Sequence, residues 1–278
     1  MCIKNIDLIF TNIKKTVPVI HNISNIVTVN DCANITLAAY GSPTMADNPD
    51  EVEEITSICN GFVINMGNIS DYLVESMVRA GKRSNELDHP VVLDPVGAGV
   101  AKKRNDVLNK LLNEIKFSVI RGNISEIKFL VNGTGGAKGV DANASDKATD
   151  KNLETIVDFA KDLSKKTGSI IAISGEIDIV ADSKKAYIIR NGHEMMARVT
   201  GTGCMLSSLI GVFISVNKQN ILDATAAAIG YYGYCGELAY KKTIETKSGT
   251  SSFRTYLIDF VSQMDYQSFK GGAKIEIM

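Results

Sequence analysis

Residues 200–206 read Thr-Gly-Thr-Gly-Cys-Met-Leu. Gly201 and Gly203 leave the backbone free to turn tightly and let a ligand approach it closely. An apolar run at 206–216 follows at once, too short to cross a bilayer and suited to a buried helix. A glycine turn feeding a helix start aims several unpaired N–H groups, and the positive end of the helix dipole, at one spot. That spot favours an anion, phosphate above all. Cys204 falls in the first turn, where a thiol is open to activation.

Four further stretches carry chemistry beside a plainer alternative. In Pro90-Val-Val-Leu-Asp-Pro-Val-Gly-Ala-Gly99, Asp94 stands at a strand's C-terminal end, the edge where α/β sheets bind ligands. Asp-Pro with glycines is also ordinary turn chemistry. In Ile120-Arg121-Gly-Asn-Ile-Ser-Glu126, the Arg121 fork matches phosphate oxygens. Asn123 and Glu126 lie three apart on one face of a helix start and suit a hydrated Mg²⁺. They also fit a capping box, which is compatible with metal support. In Ile173-Ser-Gly-Glu-Ile-Asp178, Ser174 either bonds a phosphate or caps a turn. In residues 25–34 and 41–46, Asn25 and Met45 suit a small, partly apolar ligand, although Met45 serves equally as core filler.

Three motifs fail their tests. Gly133-Thr-Gly-Gly-Ala-Lys138 lacks the Gly before Lys and the hydroxyl residue after it that a Walker A loop needs, so it reads as a loop. No G-x-G-x-x-G opens a helix, and no Ser-His-Asp arrangement has a nucleophile elbow. His21, His89 and His193 are scattered and read as surface or packing residues.

These residues need strands that deliver them to one edge. Runs at 62–66, 91–93, 118–120 and 170–173 are short, apolar and rich in β-branched residues. They read as buried strands of a mostly parallel sheet. Runs at 177–180 and 186–189 add a hairpin or an antiparallel edge. Leu153, Ile156, Val157, Ala160 and Leu163 keep helical spacing, with Thr149 as expected N-cap and Gly168 at the C-terminal stop. Leu73, Met77 and Val78, closed by Gly81, predict a second helix, and Asn48-Pro49 opens a third with Glu51, Glu53 and Glu54 near its positive end. The Ala-rich run at 222–240 predicts a buried helix, and the tail at 268–278 a final strand or a loose end. Alternation of strands and helices implies βαβ units with right-handed crossovers.

Composition narrows the class. The chain has 278 residues, 45% of them hydrophobic, which suits one large α/β domain spanning 1–278. Its 31 acids and 30 bases nearly cancel, so no basic footprint points to nucleic acid or an anionic membrane. Five cysteines without a C-x-x-C pair fit a reducing cytoplasm better than a disulfide framework or zinc site. Lys4 and Asp7 interrupt the N-terminus, and no signal peptide or membrane span is expected.

Taken in order, five stretches resemble the hydroxyethylthiazole kinases of the ribokinase-like superfamily. They are Asn25-Ile-Val-Thr-Val-Asn-Asp-Cys-Ala-Asn34, Gly41-Ser-Pro-Thr-Met-Ala46, Val92-Leu-Asp-Pro-Val-Gly-Ala-Gly99, Arg121-Gly-Asn-Ile-Ser-Glu126 and Gly201-Thr-Gly-Cys204. The resemblance runs from about residue 15 to about residue 260. It implies a three-layer αβα fold, a mostly parallel sheet flanked by helices. It also implies phosphorylation of 4-methyl-5-(2-hydroxyethyl)thiazole with ATP and Mg²⁺, in thiamine salvage. By the same resemblance Met45 and Gly201 meet the thiazole substrate, Arg121 and Ser174 meet ATP, and Asp94 and Glu126 organise Mg²⁺; Asn25, read above as a ligand contact, is placed with the substrate residues. Cys204 takes the catalytic position, where most of the superfamily carries a carboxylate, and Ser174 stands where many relatives carry Thr. A homotrimer with sites at subunit interfaces is likewise implied. Two rival readings are a related kinase for the pyrimidine half of thiamine and a non-catalytic nucleotide sensor.

Overall fold

A computed structural model describes residues 3–132, 148–263 and 265–278. The glycine-rich stretch at 133–138 lies outside them, as does Cys2. Nine strands form one sheet in the order β2-β1-β3-β4-β5-β6-β7-β8-β9. They are β1 Val19–Ile23, β2 Ser42–Thr44, β3 Gly61–Asn65, β4 Val91–Asp94, β5 Val119–Asn123, β6 Ile170–Ser174, β7 Asp178–Ala181, β8 Ala186–Ile189 and β9 Ile275–Ile277. The first six pair in parallel; β7, β8 and β9 pair antiparallel.

The helices are α1 Ile6–Thr16, α2 Val29–Ala38, α3 Val52–Ser57, α4 Asp71–Glu86, α5 Lys102–Glu114, α6 Ile124–Asn132, α7 Leu153–Thr167, α8 Thr202–Ser215, α9 Ile221–Glu245, α10 Thr250–Gln263 and α11 Tyr266–Gly272. Side-chain parity sorts them into two outer layers. Val63, Val92, Val119 and Ala172 face a core shared with α1, α2, α8, α9 and α10. Their neighbours Phe62, Ile64, Val91, Leu93, Ile120, Ile171 and Ile173 face a second core shared with α4, α5 and α7. Alternation to two apolar faces is what a parallel sheet covered on both sides requires. The expected three-layer αβα architecture is therefore the observed one, and no helix among the described residues is long and apolar enough to cross a membrane.

Several boundaries differ from expectation. Gly81 does not end a helix; it lies buried inside α4, where a β-carbon would sit 2.3 Å from Ile115 Cδ1. Close packing, not a stop, explains that glycine. Thr149 does not cap α7. Asn152 holds the N-cap position, and its Oδ1 accepts from both the N–H and the hydroxyl of Thr149. Asn48-Pro49 makes a turn, and α3 starts only at Val52. Gly168 does close α7, in the left-handed conformation at φ 74°. The tail is ordered as α11 and the edge strand β9.

Candidate active site

On β3 to β6 a polar residue stands two positions beyond an apolar residue of the core that includes α8: Asn65 after Val63, Asp94 after Val92, Arg121 after Val119 and Ser174 after Ala172. Period two sends each polar side chain to the same face as its apolar predecessor. That face, at the carboxyl ends of the strands, is where α8 begins. Gly201 is its N-cap, with φ 86° and no side-chain cap. The first-turn N–H groups thus have no side chain closing them off, and the dipole favours an anion there.

Arg121 spans this edge. Its Nη2 donates to Ser174 Oγ at 2.7 Å, and its Nη1 makes a looser ion pair with Asp94 Oδ2 at 3.5 Å. Its Nε is buried without a hydrogen-bond partner among the described residues. A buried, unpaired guanidinium N–H costs free energy until an acceptor arrives, and phosphate oxygens are matched to it. The turn after Ser174 is pinned by Asp178, whose Oδ1 accepts from Gly175 N at 2.8 Å. Burial pushes the Asp178 carboxyl up to about 7, countered in part by the Gly175 N–H and by Arg121.

Asp94 is almost fully buried, and three donors converge on one of its oxygens. Ser207 Oγ at 2.8 Å, Asn65 Nδ2 at 3.0 Å and Arg121 Nη1 at 3.5 Å all reach Oδ2. No hydrogen bond among the described residues reaches Oδ1. Burial raises the Asp94 carboxyl above its usual range, with Arg121, Ser207 and Asn65 opposing. Glu126 is held differently. Its Oε1 accepts from Gly97 N at 3.0 Å and its Oε2 from Asn123 N at 2.9 Å, while Asn123 Oδ1 accepts from Glu126 N at 3.0 Å. This is the reciprocal capping box, and it also ties the Asp94 loop to α6. Burial, then the Asp94 charge, push the Glu126 carboxyl up to about 7.

Cys204 sits partly exposed in the first turn of α8. Asn25 Nδ2 approaches its sulfur at 3.5 Å and also donates to Thr28 Oγ1 at 2.8 Å and Asn65 Oδ1 at 3.0 Å. The helix N-terminus does not dominate this thiol. Burial pushes it up to about 11, with the Asp94 charge adding, so it is neutral at pH 7 in the ligand-free protein.

The structure thus gathers Asn25, Asp94, Arg121, Glu126, Ser174, Gly201 and Cys204 at one sheet edge. Met45 stands one residue beyond β2, the strand next to β1, and is partly exposed. It joins neither apolar core, so it does not serve as core filler. Asn65, Thr28 and Ser207 were not anticipated. The signal for Asn65 was available: it follows Val63 as Asp94 follows Val92. His21 is a packing residue as expected, tilted on Phe62 with ring centroids 4.8 Å apart and bonded to Thr56 Oγ1 and Ala46 O.

Among the described residues no group of three or more His, Cys, Asp or Glu side chains could hold a metal ion on its own. Mg²⁺ does not need one. It keeps several waters and binds through one or two carboxylates plus substrate phosphates. The open Asp94 Oδ1 with Glu126 nearby fits that mode.

Residues 10–267 match the profile of the hydroxyethylthiazole kinase family. A hydroxyethylthiazole kinase from Clostridium acetobutylicum is 53% identical over 265 residues, covering 95% of this chain and 97% of the relative. One from Clostridium botulinum is 48% identical, covering 93% and 91%. The solved hydroxyethylthiazole kinase of Pyrococcus horikoshii superposes with a TM-score of 0.87 at 32% identity, covering 99% of both chains. The pyridoxal kinase of Staphylococcus aureus, at 15% identity and a TM-score of 0.58, shares the ribokinase-like fold. Profile, identity and coverage agree: this chain belongs to the hydroxyethylthiazole kinase family.

Proposed function

We propose that the protein transfers the γ-phosphoryl group of ATP to the primary hydroxyl of 4-methyl-5-(2-hydroxyethyl)thiazole, in thiamine salvage. The carrying observation is the uncapped start of α8 lying under Arg121, whose buried Nε has no partner. Phosphoryl transfer has a loose transition state, so catalysis is mostly positioning and charge stabilisation. The amides at 202–204 and the Arg121 fork would meet charge on the transferred group. Ser174, which receives one Arg121 donor, would meet the nucleotide from the next strand. Asp94, supported by Glu126, would hold Mg²⁺, which when bound supplies positive charge to phosphate oxygens.

Asn25, Met45 and Gly201 would receive the thiazole alcohol. Cys204 would take the hydroxyl proton. A neutral thiol cannot accept one, so this role requires that Cys204 ionise in the loaded site. The Asn25 amide donating toward its sulfur favours that form. A loose transition state also asks for proton removal late, when a modest base suffices.

We extend the proposal to one domain over 1–278, supported by a sheet that runs from Val19 to Ile277. A homotrimer is supported by Ile26 and Val27, which are 79% and 69% exposed beside Asn25 and suit cover by a neighbouring subunit. Light scattering on a sizing column tests that state. A cytoplasmic location rests on Cys32, Cys59 and Cys204, which form no disulfide among the described residues. Phosphorus NMR of the products, after both thiamine-precursor alcohols are offered with ATP, tests the substrate. A phosphorylated thiazole alcohol is expected; a phosphorylated pyrimidine alcohol alone would favour the rival kinase.

A further inference from the structure

The strand ends join Cys204 to Asp94 through one side chain that contacts both halves of the site. Asn65 and Asp94 are direct partners in the β3–β4 register. Asn65 is 2% exposed and uses both ends of its amide. Its Nδ2 donates to Asp94 Oδ2 at 3.0 Å. Its Oδ1 accepts from Asn25 Nδ2 at 3.0 Å and from Gly67 N at 2.9 Å. Asn25 in turn reaches the Cys204 sulfur. Gly67 lies hard against Asn25, where a β-carbon would come within 2.6 Å of Asn25 Cβ.

We propose that Asn65 is a positioning residue of the phosphoryl transfer: its amide nitrogen turns Asp94 so that Oδ1 is the oxygen offered to the cleft, and its amide oxygen holds Asn25 against Cys204. The inference rests on the kinase reading above and assigns to Asn65 the alignment of its two halves. No other residue type does both jobs with this shape. Aspartate keeps the acceptor and loses the donor; leucine and alanine lose both. The buried amide is anchored at both ends, by one bond from its nitrogen and two to its oxygen, which is what locks its rotamer and lets it lock its neighbours.

The two ends can be separated by kinetics. In Asn65→Asp the acceptor for Asn25 and Gly67 remains, while the donor to Asp94 is replaced by a repelling oxygen. We expect kcat to fall about 10- to 100-fold, the usual effect of losing a supporting hydrogen bond, with KM for the thiazole alcohol within about twofold of wild type. In Asn65→Ala the hold on Asn25 is lost as well, and KM for the alcohol rises about tenfold beside the fall in kcat. Circular dichroism establishes the folded fraction of each variant. Should Asn65→Ala fail to fold, the isosteric Asn65→Asp decides alone. A wild-type kcat in either folded variant, or an equal shift of alcohol KM in both, overturns the assignment while an active wild type leaves the kinase reading standing. An inactive wild-type protein overturns the kinase reading, and the assignment with it.

Discussion

The guanidinium of Arg121 lies against the Cα of Gly203: a β-carbon built there would sit 2.7 Å from Nη1 and 3.0 Å from Nη2. The glycine is therefore required by a neighbouring side chain and not by its own backbone, since only Gly201 of the pair has positive φ. The two glycines of the turn thus answer to different constraints, one to a neighbouring side chain and one to its own φ.

Gly203→Ala should leave the fold intact. An alanine inside α8 is intrinsically favoured over glycine by about 0.5–1 kcal/mol, and the clash is with the far end of the Arg121 side chain and not with backbone. Displacing that end should raise KM for ATP about tenfold. Urea unfolding and initial rates check both halves; a variant with wild-type ATP kinetics would show that Arg121 does not need its observed place.

Gly201→Ala should behave oppositely. Its φ of 86° is costly for any residue with a β-carbon, and that carbon would lie 2.6 Å from Thr28 Cγ2. A loss of about 1–3 kcal/mol in urea unfolding is expected. Unchanged stability would mean that the turn relaxes freely.

Cys204 should resist alkylation at neutral pH. With its thiol pushed up to about 11, reaction with iodoacetamide should quicken as pH rises toward that value. Peptide mass spectrometry follows the site. Cys204→Ala should bind ATP and the thiazole alcohol near normally and lose roughly 10²- to 10⁴-fold in turnover, the span of a general base. Fast alkylation at pH 7 would contradict the neutral thiol, and unchanged turnover would rule out the base role.

His21 should make stability depend on acid. Burial lowers it from 6.5 to about 4, opposed in part by its bond to Ala46 O. Between those values the unfolded chain binds a proton that the folded chain refuses. Stability is therefore lost as pH falls from about 6.5 to about 4, by about 3 kcal/mol in all. Urea unfolding across that window should show a flatter slope for His21→Gln than for wild type; equal slopes would place the acid sensitivity elsewhere.

Much of this architecture was readable from residue order, and the failures have physical causes. The run 170–173 and the 206–216 helix announce themselves because parallel strands and a central helix are apolar all round. β1 does not, because its Val-Ile-His-Asn-Ile sequence buries His21 and Asn22, whose distant partners lie in α3, the segment at Ala46 and α8. Gly81 looks like a helix stop until Ile115 is placed beside it. At the site, Asp94, Arg121 and Glu126 stand out by type and position. Asn65, Thr28 and Ser207 do not, because an amide or hydroxyl gains meaning only from the three-dimensional neighbour it bonds. Arg104 escaped for the same reason: it donates to the carbonyls of Met66, Gly67 and Val96 and fastens the loops after β3 and β4.

The central claim is tested most directly by coupled ADP release from the wild-type protein, with ATP, the thiazole alcohol and Mg²⁺ each withheld in turn. ADP should form only when all three are present. Release at the same rate without the alcohol, or none with the complete mixture, would contradict the account.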